Sequence, residues 1–63
     1  MENDRAELSA LATSLDDLTR RITAVADRFA GTTHADVADS LYEVERSLLT
    51  AARKLDRAER SLR

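Results

Sequence analysis

The sequence predicts an all-α fold, in which an antiparallel two-helix hairpin of the coiled-coil type dimerises into a four-helix bundle. Three observations support the hairpin. Apolar residues recur every three or four positions in both halves of the chain, a single glycine separates the halves, and the two halves fit one antiparallel register. With 63 residues and no proline, the chain has room for one domain, residues 1–63, without an internal helix breaker.

The first helix is predicted over about residues 4–30. Its apolar residues are spaced alternately by three and four positions, which is the heptad pattern of helices that pack along a seam. Asp4, with Glu7 three residues later, has the pattern of a capping box. Gly31 stands where a left-handed residue ends a helix. The apolar seam of this half comprises Leu8, Leu11, Leu15, Leu18, Ile22, Val25 and Phe29.

A turn over about residues 31–33 and a second helix over about residues 34–61 are predicted next. Thr33 is placed to cap the second helix, and Asp36 then puts an acid in its first turn, where the helix dipole favours negative charge. So short a connection forces the two helices to run antiparallel. The apolar seam of this half comprises Val37, Leu41, Val44, Leu48, Ala51, Leu55, Ala58 and Leu62.

The two seams fit a single antiparallel register. Residues that face each other in a hairpin have numbers with a constant sum, and this sum is 66 for each successive pair of seam residues from Phe29 to Leu8. Each pair also joins an a position to a d position, as antiparallel coiled coils require. Leu18 faces Leu48 in the central layer. We therefore expect the seam residues, Leu18 among them, to form the core of the hairpin.

The composition excludes several classes of function. Lys and Arg number 10 against 12 Asp and Glu, a net charge of −2, so the basic excess of a nucleic-acid-binding protein is missing. The chain has no cysteine and one histidine, which excludes thiol catalysis and cysteine or histidine metal clusters within one copy. It has no glycine-rich phosphate loop, no nucleophile elbow and no membrane-length apolar run. We expect no catalytic residue, no metal, no cofactor and a cytoplasmic protein; the high Ala, Arg, Asp and Leu content is typical of a high-GC bacterial genome.

Charge is distributed unevenly along the chain. Residues 1–17 carry a net charge of −4 and residues 46–63 a net charge of +4. The hairpin brings these two segments side by side. We therefore expect charge matching across the helices on a solvated surface, in preference to a nucleic-acid site in the basic segment.

A chain this small needs more burial than two helices provide, and the residues beside the seam predict where it comes from. One flank of the seam is lined by alanines, and beyond it lie Tyr42 and Leu49, at positions that a two-stranded coil leaves in water. A contiguous apolar stripe indicates a partner surface, and a second copy across a two-fold axis is the simplest partner. The predicted interface comprises Ala12, Ala26, Ala38, Leu41, Tyr42, Leu49 and Ala52.

The other flank of the seam is polar and provides a candidate ligand edge. Arg21 and Arg28 lie one heptad apart, and the guanidinium fork suits phosphate recognition. The alternative interpretation is the ordinary polar edge of a coiled coil. The candidate ligand edge comprises Arg21, Arg28, Ser40, Ser47 and Lys54.

The second helix also carries part of a known helical motif. Read from Glu43, the chain is similar to E-x3-S-x2-R-x3-Q-x3-D at Glu43 and Ser47 and departs from it at Thr50, Lys54 and Ala58. The motif belongs to actinobacterial anti-sigma hairpins that sense cyclic-di-GMP. Nucleotide binding is not carried over from these two matches. The alternative function, of the anti-sigma hairpin type, is the sensing of a phosphate-bearing nucleotide such as a cyclic dinucleotide at the edge that contains Arg21 and Arg28.

Taken together, the sequence favours a non-catalytic helical protein–protein interaction module. We expect a small adaptor or regulator that forms a homodimer and presents a helical face to another protein.

Overall fold

The protein is a helical hairpin. A computed structural model describes residues 2–62, with the side chains of residues 3–62; Met1 and Arg63, at the ends of the predicted domain, lie outside the described residues. The chain forms α1 (Glu2–Phe29) and α2 (Ala35–Ser61), which pack against each other. The predicted two-helix hairpin is thus confirmed. The Cα atoms span 49 × 15 × 9 Å, so the molecule is a flat rod about one helix layer thick.

α1 begins two residues before its predicted start. Asp4 therefore lies inside the first turn of α1, not at its cap, and so does not begin a capping box. It still lies near the positive end of the helix dipole, where an acid is favourable. Within residues 2–62, neither helix contains an apolar stretch that could cross a membrane.

The turn between the helices depends on Gly31. Its φ of 75° lies in the left-handed region, which glycine adopts without a steric penalty. The last helical hydrogen bond of this end runs from the Ala30 N–H to the Ala26 carbonyl at 3.0 Å. Thr32 then satisfies the carbonyl oxygen of Phe29 twice, through its hydroxyl at 2.5 Å and its N–H at 3.2 Å. Gly31 therefore ends α1 as the sequence predicts.

His34, not Thr33, occupies the N-cap position of α2, and its side chain makes no cap hydrogen bond. The hydroxyl of Thr32 instead accepts a hydrogen bond from the His34 N–H at 3.1 Å. The His34 ring packs edge-on against Phe29, with 5.9 Å between ring centroids. The predicted Thr33 cap is wrong because the turn places the Thr32 hydroxyl beside this amide. Asp36 lies in the first turn of α2 as predicted.

The two helices meet along a row of small residues. Ala26 is 0% exposed and Ala38 is 1% exposed, and they are the buried apolar residues of the described chain. Thr19 is 7% exposed, and its hydroxyl donates to the carbonyl of Leu15 at 2.7 Å, which satisfies the buried polar group. We call these positions and their equivalents along each helix the contact row. The contact row comprises Ala12, Thr19, Ala26, Ala38, Glu45 and Ala52, all of them buried or half-buried.

This contact corrects the predicted core. The seam residues next to the contact row, such as Leu15 and Leu48, are half-buried. Leu18, expected in the central layer opposite Leu48, is 45% exposed, and Leu11 is 51% exposed. Each helix is turned so that its alanine flank, not the midline of the seam, faces the other helix, because small side chains at the contact let two helices approach closely. One of the two rows of the seam, apart from Val25, is therefore left exposed.

The ion pairs also differ from the expected charge matching. Among the described side chains, four ion pairs form. Each joins two exposed residues that lie three or four positions apart in the same helix. Pairs of this kind contribute about 0.3–0.5 kcal/mol, so they do not carry the contact between the helices. The pairs are Arg20–Asp16 at 3.2 Å, Arg21–Asp17 at 3.8 Å, Arg46–Glu43 at 4.0 Å and Arg60–Asp56 at 3.1 Å.

Candidate interaction site

The large exposed apolar residues of the seam occupy positions one residue before the contact row. Leu18 precedes Thr19 in α1, and Val44 precedes Glu45 in α2. One residue corresponds to about 100° of rotation in an α-helix, so these side chains project sideways from the contact. We call the surface that they form the front face. With the smaller and the half-buried residues at the same positions, the front face comprises the exposed residues Leu11, Leu18, Val37, Val44, Ala51 and Ala58 and the half-buried Val25.

Both helices contribute to the same front face because they run antiparallel. Contacts at both ends of the hairpin show the antiparallel direction. Tyr42, near the start of α2, bonds to Asp27 near the end of α1. Glu59, near the end of α2, lines a hollow together with Arg5 near the start of α1. α2 points the opposite way and meets α1 from the opposite side. Because both the direction of the helix and the side from which it meets its neighbour are reversed, the residue that precedes a contact-row residue lies on the same side of the hairpin in both helices.

The front face is apolar and open. Leu11 is 51%, Leu18 45%, Val44 40% and Val37 37% exposed. In a two-layered helical protein, side chains at these positions are covered by another helix. The front face is therefore an apolar surface with two parallel rows of side chains, one from each helix.

The opposite side of the hairpin, which we call the back face, is closed by two hydrogen bonds between the helices. The Tyr42 hydroxyl donates to Oδ1 of Asp27 at 2.6 Å, and the Thr23 hydroxyl donates to the Glu45 carboxylate. The hydrogen bond to Asp27 raises the pKa of the Tyr42 phenol, and neighbouring carboxylates add to the effect because they disfavour a phenolate. Leu49 also lies on the back face and is 47% exposed.

The structure divides the residues predicted for a partner interface. Ala26 and Ala38 are buried inside the hairpin, so the prediction that the alanine flank receives a second copy is corrected: this flank binds the other helix of the same chain. Tyr42 is half-buried and bonded to Asp27. Leu49 is the exposed member of this set. The remaining members, all half-buried, are Ala12, Leu41 and Ala52.

The residues of the candidate ligand edge are all exposed, and the structure does not gather them into a binding site. Arg21 pairs with Asp17 of its own helix. Within residues 3–62, no hydrogen bond or ion pair joins two members of the edge, and no three His, Asp or Glu side chains are arranged to hold a metal ion. Nucleotide sensing stays a prediction. The members are Arg21, Arg28, Ser40, Ser47 and Lys54.

The front face was missed from the sequence because its residues were assigned to the core. The signal that identifies it is the side-chain volume at the neighbouring positions. Ala12, Ala26, Ala38 and Ala52 recur at one heptad position and face each other across the hairpin, Ala12 with Ala52 and Ala26 with Ala38. A row of alanines on both helices favours a close contact centred on that row, which leaves the larger residues beside it exposed.

Comparisons with known proteins do not identify a relative. No protein-family model matches the chain, and no curated protein or solved structure matches it significantly.

Proposed function

We propose that this chain is a non-catalytic helical protein–protein interaction module that self-associates through its front face. Two hairpins pack front to front, form a homodimer and complete a four-helix bundle of the coiled-coil type. The observation that carries this proposal is the exposure of Leu18 and Val44 on one continuous apolar face. A second copy covers both front faces with one two-fold interface.

The exposed area of the hairpin supports one partner per chain. The hairpin exposes 4739 Å² at a mass of 7.0 kDa. A compact monomer of that mass exposes about 4,000 Å², so the hairpin has an excess of roughly 700 Å². Each partner in a protein–protein interface of standard size contributes about 800 Å². The excess thus matches the area that one partner of standard size would cover.

The small core of the hairpin supports the same proposal. The buried apolar residues of the described chain, Ala26 and Ala38, have among the smallest side chains. Chains of this length usually need a disulfide, a metal or oligomerisation for stability, and this chain has no cysteine. Burial of the front face contributes about 25 cal/mol for each Å² of apolar surface. Self-association therefore supplies the burial that one hairpin lacks.

In this proposal the dimer is a small adaptor or regulator. Front-to-front packing leaves the back face of each hairpin outward. Leu49 and the side chains around it then remain available to another protein, as a partner-binding helical face. No side chain of the module has a catalytic task.

Light scattering on the purified chain and two matched variants tests the proposal. Leu18 and Leu49 are 45% and 47% exposed, on opposite faces, so Leu18→Glu and Leu49→Glu introduce the same charge at equal exposure. We expect twice the 7.0 kDa chain mass for the wild type at micromolar concentration and for Leu49→Glu. Leu18→Glu should be monomeric, because an unpaired carboxylate in a dry interface costs several kcal/mol.

Two outcomes would contradict the proposal. A monomeric wild type would show that the hairpin does not self-associate. A dimer that is split by Leu49→Glu and not by Leu18→Glu would place the interface on the back face, around Tyr42 and Leu49.

A further inference from the structure

We propose that the two hairpins of the dimer point in the same direction, with their turns at the same end and α1 of each copy packed on α2 of the other. This inference rests on the proposed self-association and names the arrangement that the front face favours. It follows from side-chain size along the two rows of the front face.

The two rows of the front face differ in size at the open end of the hairpin. In that half, α1 carries Leu11 and Leu18, whereas α2 carries Ala51 and Ala58. A two-fold axis parallel to the helices places α1 of one copy over α2 of the other. Each leucine row then lies over an alanine row, so large side chains meet small ones throughout that half of the interface.

The register within the hairpin sets the height at which these residues meet. The Tyr42–Asp27 hydrogen bond and the hollow that Arg5 and Glu59 both line place Leu11 level with roughly residue 55 of α2. In the proposed dimer the same levels apply between copies, because the axis is parallel to the helices. Leu11 of one copy therefore lies over the gap between Ala51 and Ala58 of the other.

Large side chains also meet gaps in the middle of the interface. Leu18 of one copy lies over the gap between Val44 and Ala51 of the other, one heptad further along. Knobs that fill gaps in the facing helix are the packing of stable helical bundles.

The opposite arrangement, with the turns at opposite ends, fits the front face less well. It packs α1 on α1 and α2 on α2, so that the row with Leu11 and Leu18 faces a second leucine-bearing row, while the row with Ala51 and Ala58 faces a row of alanines and valines. One side of the bundle is then overfilled and the other underfilled, and both defects are destabilising. Charge does not decide between the two, because the acidic first half of α1 meets basic residues in either arrangement. Side-chain size favours the arrangement in which the turns lie at the same end.

Disulfide cross-linking between two single-cysteine chains tests the arrangement, since the natural chain has no cysteine. Ala58→Cys is mixed with Leu11→Cys in one sample and with Val37→Cys in a matched sample. All three positions are exposed in the hairpin, so each variant should keep its fold. Under a thiol–disulfide buffer at equilibrium, mass spectrometry quantifies the mixed dimer of each sample.

We expect the Ala58–Leu11 mixed disulfide to form several times more than the Ala58–Val37 disulfide. In the proposed dimer Leu11 lies across from Ala58, while Val37 lies near the other end of the rod. Preferred cross-linking of Ala58 to Val37 would overturn the arrangement and leave self-association intact. Absence of both cross-links from a sample with a dimeric mass would also overturn it, because neither row would then lie in the interface. A monomeric mass would remove the proposed function as well.

Discussion

Tyr42 is the residue whose environment is most open to direct measurement. It is the single tyrosine, and the chain has no tryptophan, so its absorbance is an unobstructed probe. Its hydroxyl donates to Asp27 across the two helices, and this bond raises the pKa of the phenol above its usual value of 10.0. The side chain thus reports whether the back face is closed.

We expect the phenol of Tyr42 to titrate above pH 10.0 in the folded chain and close to 10.0 in concentrated urea. Because the folded state holds the proton more tightly, the contribution of this bond to stability is complete below the unfolded pKa. It is lost as the pH rises through the higher folded pKa. A spectrophotometric titration of the wild type and of Asp27→Asn measures the shift. Asp27→Asn removes the charge at that position, so the titration midpoint of Tyr42 should move down towards the unfolded value. An unchanged midpoint would show that Asp27 does not raise the pKa of the phenol.

Thr19 shows how a polar residue is accommodated at the centre of the contact row. Its hydroxyl bonds back to the carbonyl of Leu15, so no unsatisfied group is buried between the helices. Threonine is small enough to continue the row that Ala12 and Ala26 form in the same helix. The row therefore depends on volume, not on hydrophobicity alone.

At the scale of the element, the rotation of each helix about its axis decides which residues are covered. The predicted seam and the observed contact share one row of each helix, the row that contains Leu15 and Leu48. They differ in the second row, which is mostly leucine and valine in the prediction and mostly alanine in the structure. The two alternatives are related by a rotation of about half the angle that separates consecutive residues.

The sequence was sufficient to predict the helices, the turn at Gly31 and the antiparallel pairing. It was not sufficient to predict the rotation of the helices. A period of three and four residues marks an apolar stripe at least about 100° wide, and both contacts lie within that stripe. The distance to which the two helices can approach decides between the two contacts. This distance depends on the volumes of side chains from both helices together. For the same reason the predicted interface was placed on the flank that the hairpin itself covers.

Leucine in place of a contact-row alanine tests this rotation. Ala26→Leu should lower the free energy of unfolding by about 1–3 kcal/mol, because the added volume has no space between the helices. Ala24→Leu, at an exposed position two residues away in the same helix, is the matched control and should change stability by less than about 0.5 kcal/mol. Urea denaturation measures both. Equal stability of the two variants would mean that Ala26 flanks the contact, as the heptad seam predicted, and does not lie at its centre.

At the scale of the whole molecule, the hairpin is one layer of helices with one closed side and one open side. The back face is joined by hydrogen bonds from Tyr42 and Thr23, and the front face exposes Leu18 and Val44. A domain is normally built from two packed layers around one core. In the proposed dimer, another copy of the same chain provides the second layer.

The most direct test of this claim is an isotope-filtered nuclear Overhauser experiment on a mixture of labelled and unlabelled chains, which detects contacts between copies alone. We predict contacts between the methyl groups of Leu18 in one copy and those of Val44 in the other. Signals between copies that involve Leu49 and the Tyr42 ring, with none from Leu18, would contradict the claim that the front face is the site of self-association.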